Sequence, residues 1–130
     1  MLYIQLLFAV GLLSAHLASS ANIEDALAAC GKTFGVDAGT ALLNAKDPAF
    51  LEKNKCYLAC VIEKRDGFKA DGSIDKEKDK QLLQEEEKLT ENLKKKYLKA
   101  TDDCDGSAKA DKCETAYEYI KCKETKVAGN

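Results

Sequence analysis

Six cysteines divide this chain as Cys30-x25-Cys56-x3-Cys60-x43-Cys104-x8-Cys113-x8-Cys122. A chain of 130 residues has room for one modest core, so covalent cross-links matter to it. Each bridge that closes a loop of tens of residues contributes about 3 to 5 kcal/mol by restricting the unfolded chain, comparable with the whole net stability of a small domain. An even cysteine count reads as a disulfide framework only where thiols oxidise, which is outside the cytosol.

The amino-terminal segment points to that compartment. Residues 1–20 carry no charged side chain and contain the run Leu6-Leu7-Phe8-Ala9-Val10-Gly11-Leu12-Leu13. That run has the length of a signal-peptide h-region and is too short to span a bilayer. Ala18 and Ser20 supply small residues for cleavage after Ser20, with Ala21 as the neighbouring alternative. The expected product is a soluble, secreted, extracellular protein of about 110 residues in one domain. The formal charge of −2 falls entirely on that domain, which favours neither nucleic acid nor an anionic membrane as partner.

The single histidine, His16, lies in the segment expected to be removed, and the chain has no tryptophan. The mature domain would then have no imidazole for general base catalysis or metal ligation, which excludes serine triads and Cys/His dyads and argues against an enzyme. Cys56-x3-Cys60 is within zinc-ligand spacing, but an oxidising compartment, the missing histidine and a count of six argue against a metal site. No Cys-x-x-Cys is present for redox chemistry. Neither metal nor cofactor is expected.

The remaining chain reads as all-α. Asn22 is an N-cap for a helix that Gly35 ends, with Glu24 and Asp25 in its first turn. A short second element spans residues 40–46, and Asp47-Pro48 starts a third helix running to about Arg65, the candidate for the best-buried element. Asp66-Gly67 and Asp71-Gly72 mark turns, and Ser73 is placed to cap the next helix. From Asp75 to Lys99 there is neither proline nor glycine, and Leu82, Leu89, Leu93, Tyr97 and Ala100 recur with helical spacing, in one helix or two. The last helix is expected from Ala108 to about Thr125, with Cys113, Ala116, Tyr117 and Ile120 on one face. The lysines and glutamates between Glu63 and Lys99 read as a solvated face. Cys56 and Cys60 lie one turn apart on one helix and each is expected to pair elsewhere, but spacing alone leaves 15 connectivities open for six cysteines.

The spacing of three residues between the second and third cysteines and eight between the fifth and sixth resembles that of the insect odorant-binding proteins, the pheromone-binding and general odorant-binding family. The segment from Cys113 to Cys122 resembles that family's last helix. The resemblance covers residues 21–130, and it implies six helices around an internal apolar cavity. It also implies the bridges Cys30 to Cys60, Cys56 to Cys113 and Cys104 to Cys122, and it divides Asp75 to Lys99 near Gln84 to Glu87. The implied function is carriage of odorants, pheromones or fatty-acid derivatives through aqueous fluid. The implied partners are a small hydrophobic molecule and a membrane chemoreceptor at the point of release, with no nucleic acid, no membrane insertion, and a monomer or weak homodimer.

Such a cavity needs apolar walls and one or two polar groups for orientation. The candidate ligand-binding residues are Leu58, Ile62, Phe68, Leu82, Leu89, Leu93, Tyr97, Tyr117 and Ile120, within a wider apolar set that includes Leu27, Leu42, Phe50, Ile74 and Tyr119. Tyr117 and then Tyr97 are the candidates for orienting a ligand, because a phenol offers an apolar ring and a hydrogen-bonding tip. Two alternatives share this scaffold: a lipophile carrier or scavenger in a non-olfactory secretion, and a disulfide-stapled inhibitor or toxin without an occupied cavity. Because the mature domain lacks histidine, acid-triggered release is expected to depend on carboxylates and to set in well below pH 6. A ligand titration is the check, and half-release between pH 6 and 7 would contradict it.

Overall fold

A computed structural model describes residues 22–129. The expected signal peptide at residues 1–20 lies outside the described residues. Those described form seven helices and no strand: α1 (Ile23–Phe34), α2 (Ala38–Leu43), α3 (Pro48–Lys53), α4 (Lys55–Lys64), α5 (Lys76–Glu85), α6 (Glu91–Asp103) and α7 (Lys112–Gly129). An isolated antiparallel bridge joins Phe68 to Ile74 in the turn before α5.

Local caps set most boundaries. The Asn22 side chain accepts from the Asp25 amide at 2.8 Å, and Gly35 closes α1 in the left-handed conformation, φ 68°, which glycine adopts without a side-chain penalty. Asp37 accepts from the amide of Thr40 at 3.0 Å, so the second helix begins at Ala38 and ends at Leu43, earlier than the sequence pattern suggests. Asp47 caps α3 with Pro48 in its first turn.

The third helix expected from the sequence is two helices. Asn54 has φ −120° and ψ 37°, and its side-chain amide donates to the Phe50 carbonyl at 2.9 Å. A short amide side chain competing for backbone partners in this way interrupts the helix. Asp75, rather than Ser73, caps α5 by accepting from Lys78 at 3.1 Å. The Ser73 amide and hydroxyl are both turned to Asp71, at 2.9 and 2.5 Å. The long charged stretch divides after Glu85, and Thr90 restarts it as α6. The last helix starts at Lys112, later than expected, because Asp111 caps it through the Glu114 amide at 2.8 Å. It runs past Thr125 to Gly129 and buries Val127.

The main core joins Leu27 and Cys30 of α1, Ala41, Leu51, the Tyr57-Leu58-Ala59 run of α4, and Ala116 and Tyr117 of α7. A smaller cluster gathers Ile74, Cys104 and Tyr119. Helix α4 packs most extensively against α7 and next against α1, whereas α5 makes close backbone packing with α6 alone among the helices. No side chain of α5 is fully buried.

The bridges are Cys30–Cys60, Cys56–Cys113 and Cys104–Cys122, with Cα separations of 5.8, 4.4 and 5.9 Å. They are the pairs that the family resemblance implies. Two of them leave α4 one turn apart, one to α1 and one to α7, and the third ties the residue after α6 to α7. Cys56 and Cys113 are separated by 57 residues, a loop whose closure is worth about 4 kcal/mol in the chain-entropy account. Replacing both by alanine is expected to lower the unfolding free energy by about that amount, read from urea denaturation.

Candidate functional site

A cavity of ≈ 320 Å³ lies between α5 and the core helices. Ile23 and Leu27 of α1, Ala41 and Leu42 of α2, and Phe50 and Leu51 of α3 form one side. Tyr57, Leu58, Val61 and Ile62 of α4, Leu82 of α5, and Tyr119 and Ile120 of α7 add to the apolar lining. The lining is predominantly apolar, as a small-molecule site requires. Gly67 also reaches it. A Cβ there would fall 2.6 Å from the Ile62 side chain, so glycine lets the turn after α4 come close to this wall. A second hollow of ≈ 390 Å³ shares Ile23, Arg65 and Leu82 with the first and adds Glu24, Glu85, Glu86, Glu87 and Lys88. An ion pair between Lys88 and Glu24 links the loop after α5 to the start of α1 beside this hollow.

The lining is not wholly apolar. Asp79 of α5 and Lys123 and Glu124 of α7 reach it, with Arg65. Asp79 Oδ2 accepts from Lys123 Nζ at 2.6 Å, from the Tyr119 hydroxyl, and from Thr101 Oγ1 at 3.3 Å. Such sharing lets a carboxylate and an ammonium remain charged where each alone would be costly. The Lys123 ammonium also lies 5.1 Å from the centre of the Tyr119 ring and 5.8 Å from that of Tyr97. Glu124 is held by one donor: the Tyr97 hydroxyl lies 3.0 Å from each of its oxygens. Burial pushes the Glu124 carboxyl above its ordinary value, opposed first by the Tyr97 hydrogen bond and then by Lys46 and Lys123 through space. The Tyr97 and Tyr119 hydroxyls are pushed far up, by burial first and then by their carboxylate neighbours.

Of the residues singled out from the sequence, Leu58, Ile62, Leu82 and Ile120 line the cavity together, as do Leu27, Leu42, Phe50, Ile74 and Tyr119 of the wider set. Phe68 lies outside the lining, packed against the core under the Lys112 ammonium at 5.2 Å. Leu89, in the loop before α6, and Leu93 of α6 are half-buried and also outside it, since neither that loop nor α6 contributes a lining residue. Tyr117 is buried in the core two turns before Glu124 on α7 and outside the lining, with the Lys55 ammonium 4.6 Å from its ring centre. Tyr97 is absent from the lining and acts on it through Glu124.

Asp79, Lys123 and Glu124 do not stand out in the sequence, because their charge merges with the solvated runs around them. One signal was available. Tyr119, Ile120, Lys123 and Glu124 are spaced i, i+1, i+4 and i+5 and so share one helix face.

The pattern of the PBP/GOBP family matches residues 15–126 of this sequence. The chain belongs to the PBP/GOBP family. This is a family of carriers for small hydrophobic ligands rather than of enzymes, which accords with the all-α fold, the three bridges and the apolar cavity. No curated protein and no solved structure matches the chain significantly. Among the described residues no helix is long and apolar enough to cross a membrane, and no cluster of potential metal ligands occurs.

The raised Glu124 carboxyl has a consequence for stability. A carboxyl that binds its proton more tightly when folded favours the folded state below its ordinary value, 4.5, and loses that contribution as pH rises through the folded value. Glu124→Gln removes the cost of burying the charge. The variant is expected to exceed the parent in unfolding free energy at neutral pH, with the difference shrinking as pH falls toward 4.5, measured by urea denaturation across that range.

Proposed function

We propose that this member of the family is a secreted carrier that takes up odorants, pheromones or fatty-acid derivatives in the cavity between α5 and the core and carries them through aqueous fluid to a membrane chemoreceptor. The observation that carries the reading is the ≈ 320 Å³ apolar hollow, a volume in the range of small-molecule sites. The signal-peptide pattern of residues 1–20 and the oxidised cysteines support export.

Leu58, Ile62, Leu82 and Ile120 form the apolar contact, and the polar end at Asp79, Lys123 and Glu124 orients the ligand. A chain of 10 to 12 methylenes gains about 8 to 10 kcal/mol gross on burial, at about 0.8 kcal/mol each. After an association cost of about 4 kcal/mol, roughly 4 to 6 kcal/mol remain from the chain alone, a dissociation constant between tens of micromolar and about a millimolar that a polar contact tightens, compatible with reversible carriage. Acid release of the kind expected from the sequence would run through Glu124, the lining carboxyl that burial pushes above its ordinary value.

A naphthylamine fluorophore that brightens in apolar surroundings tests the reading directly. The parent protein is expected to bind it with micromolar affinity. Leu82→Trp, which pushes an indole into the hollow from α5, is expected to weaken binding at least tenfold while the protein stays folded. Tyr117→Phe, outside the lining, is expected to leave affinity unchanged. A parent protein that does not take up the fluorophore would contradict carriage and favour the inhibitor or toxin alternative.

A further inference from the structure

We propose that Glu124 is the residue that sets ligand chemistry in this cavity, and that it selects neutral ligands bearing a hydrogen-bond donor, such as long-chain alcohols, over carboxylates and over ligands that can only accept. The inference rests on the carrier reading and deepens it.

The charge inventory of the lining comes first. Arg65 and Lys123 are matched there by Asp79 and Glu124. A ligand carboxylate brought into this apolar space adds a negative charge to a set that already balances, and charge without a partner is expensive away from water. A neutral headgroup avoids that cost.

The hydrogen-bond inventory decides what kind of neutral headgroup. The Tyr119 hydroxyl is committed to Asp79. The Lys123 ammonium donates to the same oxygen at 2.6 Å and lies against the rings of Tyr97 and Tyr119. These donors are engaged within the protein, and Arg65, the other cation of the lining, has a partner of its own, which leaves little to offer a ligand that can only accept. Glu124 is in the opposite position. Its two oxygens have about four lone-pair sites between them, and the Tyr97 hydroxyl brings a single proton to the pair, at 3.0 Å from each. Acceptor capacity therefore remains on a carboxyl that lines the cavity. The other charged groups acting on it are Lys46 and Lys123, both from a distance. A ligand hydroxyl reaching Glu124 makes a charge-assisted hydrogen bond away from bulk water, one of the stronger polar contacts open to a neutral ligand. Tyr97 acts as a positioning residue, fixing the carboxyl without touching the ligand.

The test is a competition against the naphthylamine fluorophore at pH 8 with three ligands of one chain length: decanol, decyl methyl ether and decanoate. The parent protein is expected to bind decanol about tenfold more tightly than either of the others. Glu124→Gln removes the negative charge and keeps a neutral amide in its place. It is expected to lose most of the preference for decanol and to bind decanoate several-fold more tightly than the parent does, a gain that a misfolded variant would not produce. Glu118→Gln, which removes one exposed acid from the same helix, is expected to keep the parental ranking. Equal affinity of the parent for the three ligands, an unchanged ranking in Glu124→Gln, or the same shift in Glu118→Gln would overturn the assignment of Glu124 while leaving carriage intact. Failure of all three ligands to displace a bound fluorophore would overturn the inference alone, whereas a parent protein that takes up no fluorophore would overturn carriage with it.

Discussion

Two covalent bonds leaving one helix govern the rest of this structure. Cys56 and Cys60 lie a single turn apart on α4, and their bridges fasten α7 and α1 to it. A domain of this size ordinarily has to fill its interior to stay folded. Here the bridges reduce the entropy of the unfolded chain, so the fold tolerates an interior that is not filled. The hollow beside α4 is the result.

The helices divide by role around that hollow. Helices α1, α4 and α7 form the bridged core, and the buried Tyr57 hydroxyl reaches the Leu27 carbonyl at 3.4 Å across it. Helix α5 packs closely only with α6, where Lys80 pairs with Asp102 at 2.5 Å, and is held across the hollow by polar contacts: Asp79 to α7 and the Lys88–Glu24 pair beyond its end. One wall of the cavity is therefore secured chiefly by side chains, and the opposite wall by sulfur and apolar packing. The Asp79 contacts serve both ends, because they attach α5 and also form the polar end of the cavity.

How far the sequence discloses this differs from element to element. The caps at Asn22 and Asp47-Pro48 and the break at Gly35 were legible because each acts through residues next to it in the chain. The break at Asn54 was not. Asn54 sits in the polar run Glu52-Lys53-Asn54-Lys55, which a helix ordinarily tolerates, and only its side-chain bond to Phe50 marks it as the interruption. The face of α7 through Cys113, Ala116, Tyr117 and Ile120 reads as inward, and these residues do pack inward. Most of that face lies against the core, whereas the cavity is reached from the neighbouring side by Tyr119 and Lys123, with Ile120 touching both. Helical spacing tells buried from exposed, but it does not distinguish contact with another helix from contact with an empty space.

By itself the sequence determined the fold class, the family and the disulfide chemistry, since cysteine spacing, caps and apolar periodicity are properties of position along the chain. Tertiary structure alone decided which buried residues face the hollow, and that Asp79, Lys123, Tyr97 and Glu124 meet at its polar end. Asp79 and Lys123 are 44 residues apart, Tyr97 and Glu124 are 27 apart, and the four groups come from α5, α6 and α7. Their hydrogen bonds exist only once packing brings these helices together, so no local pattern could announce them.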